Sequence, residues 1–213
     1  MTQALRCLIV DDHPMIRRGL KALLLEEENN CKVAEAASAE AALEAIRRED
    51  WDLMILDVSL PDKHGLEVLK EARLLRQNLP ILIWSQYPER EFALRMIKAG
   101  AAGYLSKDCA PSELLQAIRQ VTSGHRYITP TMAENIVDFV TDGQPVSPHD
   151  RLSDRELEVL RLLGQGKTVS MIADDMALSV KTISTYRART LEKLNLHTTA
   201  DLMRYAIEYR LTT

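Results

Sequence analysis

The chain has 213 residues, 46% of them hydrophobic and 27% charged, ordinary globular usage that excludes a wholly disordered chain. At roughly 100–200 residues per domain, that length holds one large domain or two small ones. A net charge of −4 argues against a uniformly basic nucleic-acid binder, and three scattered cysteines, Cys7, Cys31 and Cys109, argue against a zinc or disulfide framework.

The first residues, Met1–Arg6, lack the basic and apolar regions of a signal peptide. Apolar runs such as 81–84 are far shorter than the roughly 20 residues of a membrane span. A cytoplasmic chain with no membrane partner is expected.

In chain order, the first 126 residues alternate apolar runs with amphipathic stretches. Leu5–Val10 reads as a strand, and Pro14–Glu27 as a helix with Ile16, Leu20, Leu23 and Leu24 at helical spacing. Then follow a strand over 32–35, a helix near 39–48, a strand over 53–56 and a helix near 66–76. A strand over 81–84, a helix near 89–99, a strand over 102–105 and a helix over 111–122 close the series. Five β-α units predict an α/β fold, a doubly wound five-stranded parallel sheet with helices on both faces. Strands buried on both sides need continuous apolar runs rather than alternation. Gly100 suits a left-handed helix terminus, and Pro111 a first helical turn behind the poor cap Ala110.

Residues 128–150 carry four acidic side chains and no Lys or Arg. Their Gly/Pro/Ser-rich stretch at 142–148 reads as a linker, with a possible short helix over 131–140 before it. Residues 151–213 read as a small all-α domain. Ser153 and Glu156 form a capping box opening a helix that Gly164 and Gly166 end. A second helix near 169–176 and a third capped by Ser179 make a helix-turn-helix, and a fourth runs near 200–209. The proposed division is therefore 1–127, linker 128–150, and 151–213.

Charge divides with the domains. Residues 1–127 are net −2, the linker −4 and residues 151–213 +2; within 179–194, four basic side chains face one acidic one. The whole-chain average hides a basic helix.

Ligands of parallel sheets sit beyond the C-terminal strand ends. Here those ends carry Asp11 and Asp12, Asp57, Ser85 and Lys107. If the first and third strands are neighbours, three carboxylates converge, and their repulsion calls for a divalent cation. Hard oxygen ligands suit Mg²⁺. His13 is expected to open the first helix rather than bind metal, and His64 to lie on the surface.

Asp11, Asp12, Asp57, Ser85, Tyr104 and Lys107, with the phrases Val10-Asp11-Asp12-His13-Pro14 and Leu56-Asp57-Val58-Ser59-Leu60-Pro61 and the residues 100–107, resemble the flavodoxin-like receiver domain of two-component response regulators. The likeness covers about residues 4–126. It implies that Asp57 accepts a phosphoryl group from a sensor histidine kinase or phosphotransfer protein. It also implies Mg²⁺ held by Asp12, Asp57, the Ser59 carbonyl and, through water, Asp11. Lys107 and Ser85 would bind phosphoryl oxygens, and Tyr104 would rotate inward as the switch. Ser59 and Tyr87 would tune the phosphoryl lifetime.

Residues 152–211 resemble the luxR-type DNA-binding domain of the NarL/FixJ group, on Leu152-Ser153, Arg155-Glu156, Glu158-Val159-Leu160, Ile172-Ala173, Leu178-Ser179, Lys181-Thr182-Ile183 and 191–194. Helical spacing turns Val180, Ile183, Leu191 and Leu194 inward and Lys181, Ser184, Thr185 and Ala188 outward, toward a major groove. Thr182 joins that contact set, and Arg187, Arg189 and Lys193 are expected on phosphates. Two positions depart from the group: Val169-Ser170-Met171 replaces a polar start, and Ala188 a frequently basic residue. Small outward residues favour thymine methyls or DNA shape over guanine contacts.

The expected function is a phosphorylation-controlled transcription regulator, not an enzyme, that binds double-stranded DNA and forms a homodimer when phosphorylated. RNA polymerase is a candidate partner. The last helix, with Leu202, Ala206 and Tyr209, reads equally as a dimer face or as packing on the third helix. Two other readings stand beside it. A Mg²⁺-dependent hydrolase with an aspartate nucleophile would explain the acidic pocket, but it expects Asp rather than Ser at 59 and leaves 151–213 unexplained. A regulator that binds DNA without phosphorylation is the third.

Overall fold

Each apolar run of the first 126 residues becomes a strand in the computed structural model, which describes residues 4–27, 31–142, 148–209 and 211–212. The strands are β1 (Leu5–Val10), β2 (Cys31–Ala36), β3 (Leu53–Leu56), β4 (Ile81–Ser85) and β5 (Gly103–Ser106). Between and after them come α1 (Pro14–Glu27), α2 (Ala39–Arg48), α3 (Gly65–Leu75), α4 (Glu89–Lys98) and α5 (Pro111–Thr122). All pairings are parallel, in the order β2-β1-β3-β4-β5. The chain therefore reverses direction across the sheet at β1 and β3, the switch point where such sheets open a crevice.

Alternate residues divide the core. Cys7, Ile9, Leu53, Ile55, Leu82 and Leu105 cluster with Leu20 and Leu24 of α1 and with Leu114, Ala117, Ile118 and Val121 of α5. The intervening residues, among them Leu8, Met54, Leu56, Ile83 and Tyr104, are equally buried. With β3 wholly buried, alternation could not have marked it, and a continuous run did. Gly100 has φ +106, and its carbonyl accepts from Arg73 Nε at 2.8 Å. The Arg73 guanidinium also donates to the carbonyls of Gln77 and Leu79, at 2.7 and 2.8 Å, tying α3 to the loop that follows it.

The chain separates into two compact units, 1–135 and 136–213. The expected short helix is α6, Pro130–Asp142, which begins in the first unit and continues into the second. The Gly/Pro/Ser-rich stretch lies mostly outside the described residues. A 3-10 turn at Pro148–Arg151 precedes α7 (Asp154–Gly164), α8 (Val169–Asp175), α9 (Val180–Leu194) and α10 (Thr199–Glu208). The Ser153–Glu156 capping box is present.

Leu202 and Ala206, left between a dimer face and packing, are wholly buried within the second unit. A Cβ on Gly164 of α7 would come 2.5 Å from the Ala206 Cβ, so α7 and α10 meet where one side has no side chain. Packing is therefore the role of these two residues, with α10 lying mainly on α7 rather than on the expected third helix, α9, while Tyr209 is 41% exposed.

Ala177, in the turn between α8 and α9, has φ +51. A side chain in this left-handed region costs roughly 1–2 kcal/mol, part of which glycine returns through its unfolded-state entropy. Ala177→Gly is expected to stabilise the second unit by about 0.5–1 kcal/mol, read as a raised thermal midpoint. A lowered midpoint would show that the alanine methyl packs usefully.

Candidate functional sites

Register brings the acidic residues together. Val10 pairs with Leu56, so the next residues, Asp11 and Asp57, stand side by side, and Asp57 N–H donates to the Val10 carbonyl at 2.8 Å. Both side chains are nearly buried, at 2% and 3% exposure. Lys107 follows β5, held by its N–H to the Ser85 carbonyl at 2.8 Å. Its ammonium bridges the pair, 2.6 Å from Asp11 Oδ2 and 2.7 Å from Asp57 Oδ2. Burial pushes the Asp57 carboxyl up, Asp11 adds to this, and Lys107 opposes it. Burial works against the Lys107 ammonium, but the two carboxylates outweigh it and raise its pKa.

Ligand atoms of Asp11, Asp12, His13 and Asp57 all lie within 4.8 Å of one another. Asp12 Oδ1 is shielded from solvent and makes no hydrogen bond, although His13 Nδ1 is 2.7 Å away. Three carboxylates and one oxygen without a hydrogen bond are a donor set that fits a hard divalent cation. His13 stands just before α1, and its carbonyl accepts from Arg17 N–H at 3.2 Å, as expected of the residue that opens that helix. The structure also places the His13 ring Nδ1 among the ligand atoms, 3.3 Å from Asp11 Oδ1, while its backbone N–H donates to that same oxygen at 2.8 Å. Adjacency to the acidic pair was the available signal.

Ser59 is exposed beside the pocket, and its N–H reaches Asp57 Oδ1 at 3.3 Å. Ser85 is buried, and its Oγ accepts from Tyr87 N–H at 3.1 Å. Tyr104 is wholly buried, with its hydroxyl donating to the Tyr87 carbonyl at 2.8 Å. The inward position expected of it after switching is thus already filled. His64, expected on the surface, is 2% exposed. Its Nδ1 caps α3 by accepting from Leu66 N–H at 3.2 Å.

In the second unit, Ser179 caps α9 through Thr182 N–H at 3.0 Å, and its hydroxyl also engages that of Thr182 at 2.8 Å. Lys181, Thr185, Ala188, Arg189 and Lys193 are exposed; Thr182, Ser184 and Arg187 are half-buried. Of the face that helical spacing assigned outward, Lys181, Thr185 and Ala188 are exposed and Ser184 is half-buried. The inward face differs. Ile183 and Thr190 are wholly buried, Leu191 and Leu194 half-buried, and Val180 is 50% exposed. Val180 is the first residue of α9, beyond the reach of the core, and the Thr190 hydroxyl donates to the Tyr186 carbonyl at 2.8 Å.

Two of the expected phosphate contacts are engaged internally. Arg187 donates to Thr199 Oγ1 at 3.2 Å. Lys193 Nζ lies 2.6 Å from Glu156 Oε2, which also accepts from Ser153 N–H at 2.7 Å. Burial opposes the Glu156 charge, but Lys193 and Ser153 hold its carboxyl below the usual range. A lowered folded pKa gives stability that is present at neutral pH and is lost as pH falls through that pKa. Glu156→Gln is expected to cost about 1–2 kcal/mol at pH 7, with the gap to wild type closing below about pH 4. A gap independent of pH would mean that shape, not charge, carries the contact.

The receiver-domain model of response regulators matches residues 7–119, and that of bacterial regulatory proteins of the luxR family matches residues 150–206. The chain belongs to the luxR-type response regulators of the NarL/FixJ family. Response regulator UvrY of Escherichia coli K12 is 34% identical over 205 residues, spanning 96% of this chain and 94% of that protein. Transcriptional activator protein ExaE of Pseudomonas putida is 39% identical, spanning 94% and 95%. A luxR-family response regulator from Aurantimonas sp. SI85-9A1 is 34% identical over 64% of this chain and 97% of that one, with a TM-score of 0.59. RcsB of Salmonella enterica serovar Typhimurium, solved on the rprA promoter with the phosphomimetic BeF3−, shares the fold at a TM-score of 0.66 and 24% identity, over 95% of this chain and 98% of that one. This response regulator therefore joins a receiver domain to a luxR-type DNA-binding domain and acts in transcription regulation. No helix among its described residues is long and apolar enough to cross a membrane.

Proposed function

We propose that this response regulator accepts a phosphoryl group on Asp57 from the phosphohistidine of a sensor kinase or phosphotransfer protein. The observation that carries this is the Lys107 ammonium set 2.6–2.7 Å from Asp11 and Asp57 at the β1/β3 crevice. A carboxylate oxygen of Asp57 attacks phosphorus as the P–N bond breaks, and the departing imidazole leaves on the donor. Asp11, Asp12, Asp57 and the Ser59 carbonyl would hold Mg²⁺, which supplies charge neutralisation during in-line transfer. Lys107 shifts from carboxylate to phosphoryl oxygen as a point charge. Ser85 donates its hydroxyl to a second phosphoryl oxygen, with Tyr104 filling the space behind it.

The domain ranges 1–127 and 151–213 with the linker between them, a cytoplasmic location and a phosphorylation-dependent homodimer belong to the same reading. In the DNA-binding domain, Lys181, Thr182, Ser184, Thr185 and Ala188 meet bases, and Arg187, Arg189 and Lys193 meet phosphates. RNA polymerase is the partner such a bound regulator would address.

The test is retention of a random-sequence duplex pool, with oligomeric state, in the presence and absence of acetyl phosphate and Mg²⁺. Wild type is expected to gain binding and to dimerise, and Asp57→Asn to do neither. Equal binding in all four conditions would sink the switch. Selected sites demanding guanine at every half-site position would contradict the readout by small side chains.

A further inference from the structure

The first turn of α6 is fastened to α4 next to the segment that reports on the pocket. After α5 the chain returns along the sheet edge, and Tyr127 N–H donates to the Ala102 carbonyl at 2.9 Å beside β5. Two residues on, the nearly buried Thr129 caps α6: its Oγ1 accepts from Met132 N–H at 3.2 Å. The same hydroxyl donates to a carboxylate oxygen of Glu89, the first residue of α4. Burial pushes the Glu89 carboxyl up, while Thr129 and the Met132 N–H oppose this.

Glu89 is four residues from Ser85. The segment between them is stiff. Tyr87 N–H bonds Ser85 Oγ, its carbonyl receives the Tyr104 hydroxyl, and its ring stacks on Phe92 of α4 at 4.6 Å. Pro88 then leads directly into Glu89. Displacement of Ser85 is thus transmitted to the carboxylate with few free torsions between.

We propose that the Glu89 carboxylate is a latch that holds the first turn of α6 on α4, released when Ser85 is drawn toward a phosphoryl group on Asp57. The proposal rests on the phosphoryl-acceptor reading of the pocket. Because α6 starts in the first unit and continues in sequence into the second, the latch decides whether the start of that helix is fixed to the switch. Reciprocity follows: if pocket occupancy releases the latch, breaking the latch tightens pocket occupancy by the same factor.

The test uses the full chain, with Mg²⁺ and BeF3− as the phosphoryl probe, and reads two quantities. One is backbone hydrogen exchange at residues 132–134; the other is BeF3− affinity. In wild type, BeF3− is expected to speed exchange there at least fivefold. Glu89→Ala, which leaves the Thr129 cap in place, is expected to be fast already, to change less than twofold with BeF3−, and to bind BeF3− severalfold more tightly. Thr129→Ser, which keeps the hydroxyl, should behave as wild type, and Glu89→Ala/Thr129→Val should bind BeF3− no more tightly than Glu89→Ala. A structural role alone would not move BeF3− affinity. BeF3− affinity and exchange response unchanged in Glu89→Ala overturn the latch while leaving the phosphoryl-acceptor reading intact. Absence of Asp57-dependent BeF3− binding in wild type overturns that reading, and the latch with it.

Discussion

Replacing Lys107 with Met is expected to destabilise the receiver by about 3–5 kcal/mol at pH 7. The ammonium is the cation bridging Asp11 and Asp57, and both carboxylates are almost fully buried. Without it, two like charges stand side by side out of water. Burial already holds the Asp57 carboxyl up against the opposing Lys107 charge, and loss of that charge raises its folded-state pKa further above the unfolded one. A raised acid pKa means that the folded state binds more protons, so stability falls as pH rises through the carboxylate range. The deficit should be smallest below about pH 4 and largest at neutral pH and above. Millimolar Mg²⁺ should recover part of it, because a cation at the cluster replaces the missing charge. Thermal unfolding with pH and Mg²⁺ varied checks both. A deficit indifferent to acid and to Mg²⁺ would mean that the lysine acts by packing, and would weaken the case for a cation site.

The second large effect is steric. Gly65 opens α3, and its N–H donates to the Val58 carbonyl at 2.8 Å. A Cβ there would lie 2.6 Å from Val58 Cα and 2.7 Å from the Asp57 carbonyl oxygen. Both are backbone atoms, so no rotamer change relieves the overlap. Gly65→Ala is expected to cost about 3 kcal/mol, roughly 10 °C in thermal midpoint for a domain of this size. It should also weaken phosphoryl acceptance, although every pocket side chain is retained, since the displaced backbone is that of Asp57 itself. Gly19, exposed in α1 with open space around it, is the control: Gly19→Ala should stabilise by about 1 kcal/mol. Equal effects at the two positions would refute the steric account.

Local signals were legible, and contacts made across the fold were not. Runs such as Leu53–Leu56 marked strands because both faces are buried. Asp57 was visible because it stands one residue past such a run, where the crevice opens. The Ser153–Glu156 box was readable from spacing alone. The Lys193 partner of Glu156, 37 residues away, was not, because nothing local distinguishes a paired lysine from a solvated one. Asp62 was likewise silent: its carboxylate accepts from Ala39 and Glu40 N–H at 2.9 and 3.0 Å, capping α2 from a different loop. His64 was misplaced because an imidazole in a loop usually meets water, and here it substitutes for a short polar cap. Val180 was misplaced because helical phase says which way a residue points, not whether the core extends that far.

One further contact bears on how the pocket can be watched. The chain has two tryptophans. Trp84, next to Ser85 on β4, has the Lys107 ammonium 5.9 Å from its ring centroid. Trp51, just before β3 at the opposite end of the sheet, has the Arg6 guanidinium at 5.3 Å and an indole N–H bonded to the Ala45 carbonyl at 3.1 Å. Moving the Lys107 charge alters the field across the Trp84 indole and leaves that at Trp51 steady. If Asp57 is the acceptor proposed above, the protein carries a native optical gauge: Trp84 emission is expected to respond to phosphoryl or BeF3− occupancy and Trp51 emission to serve as its internal standard.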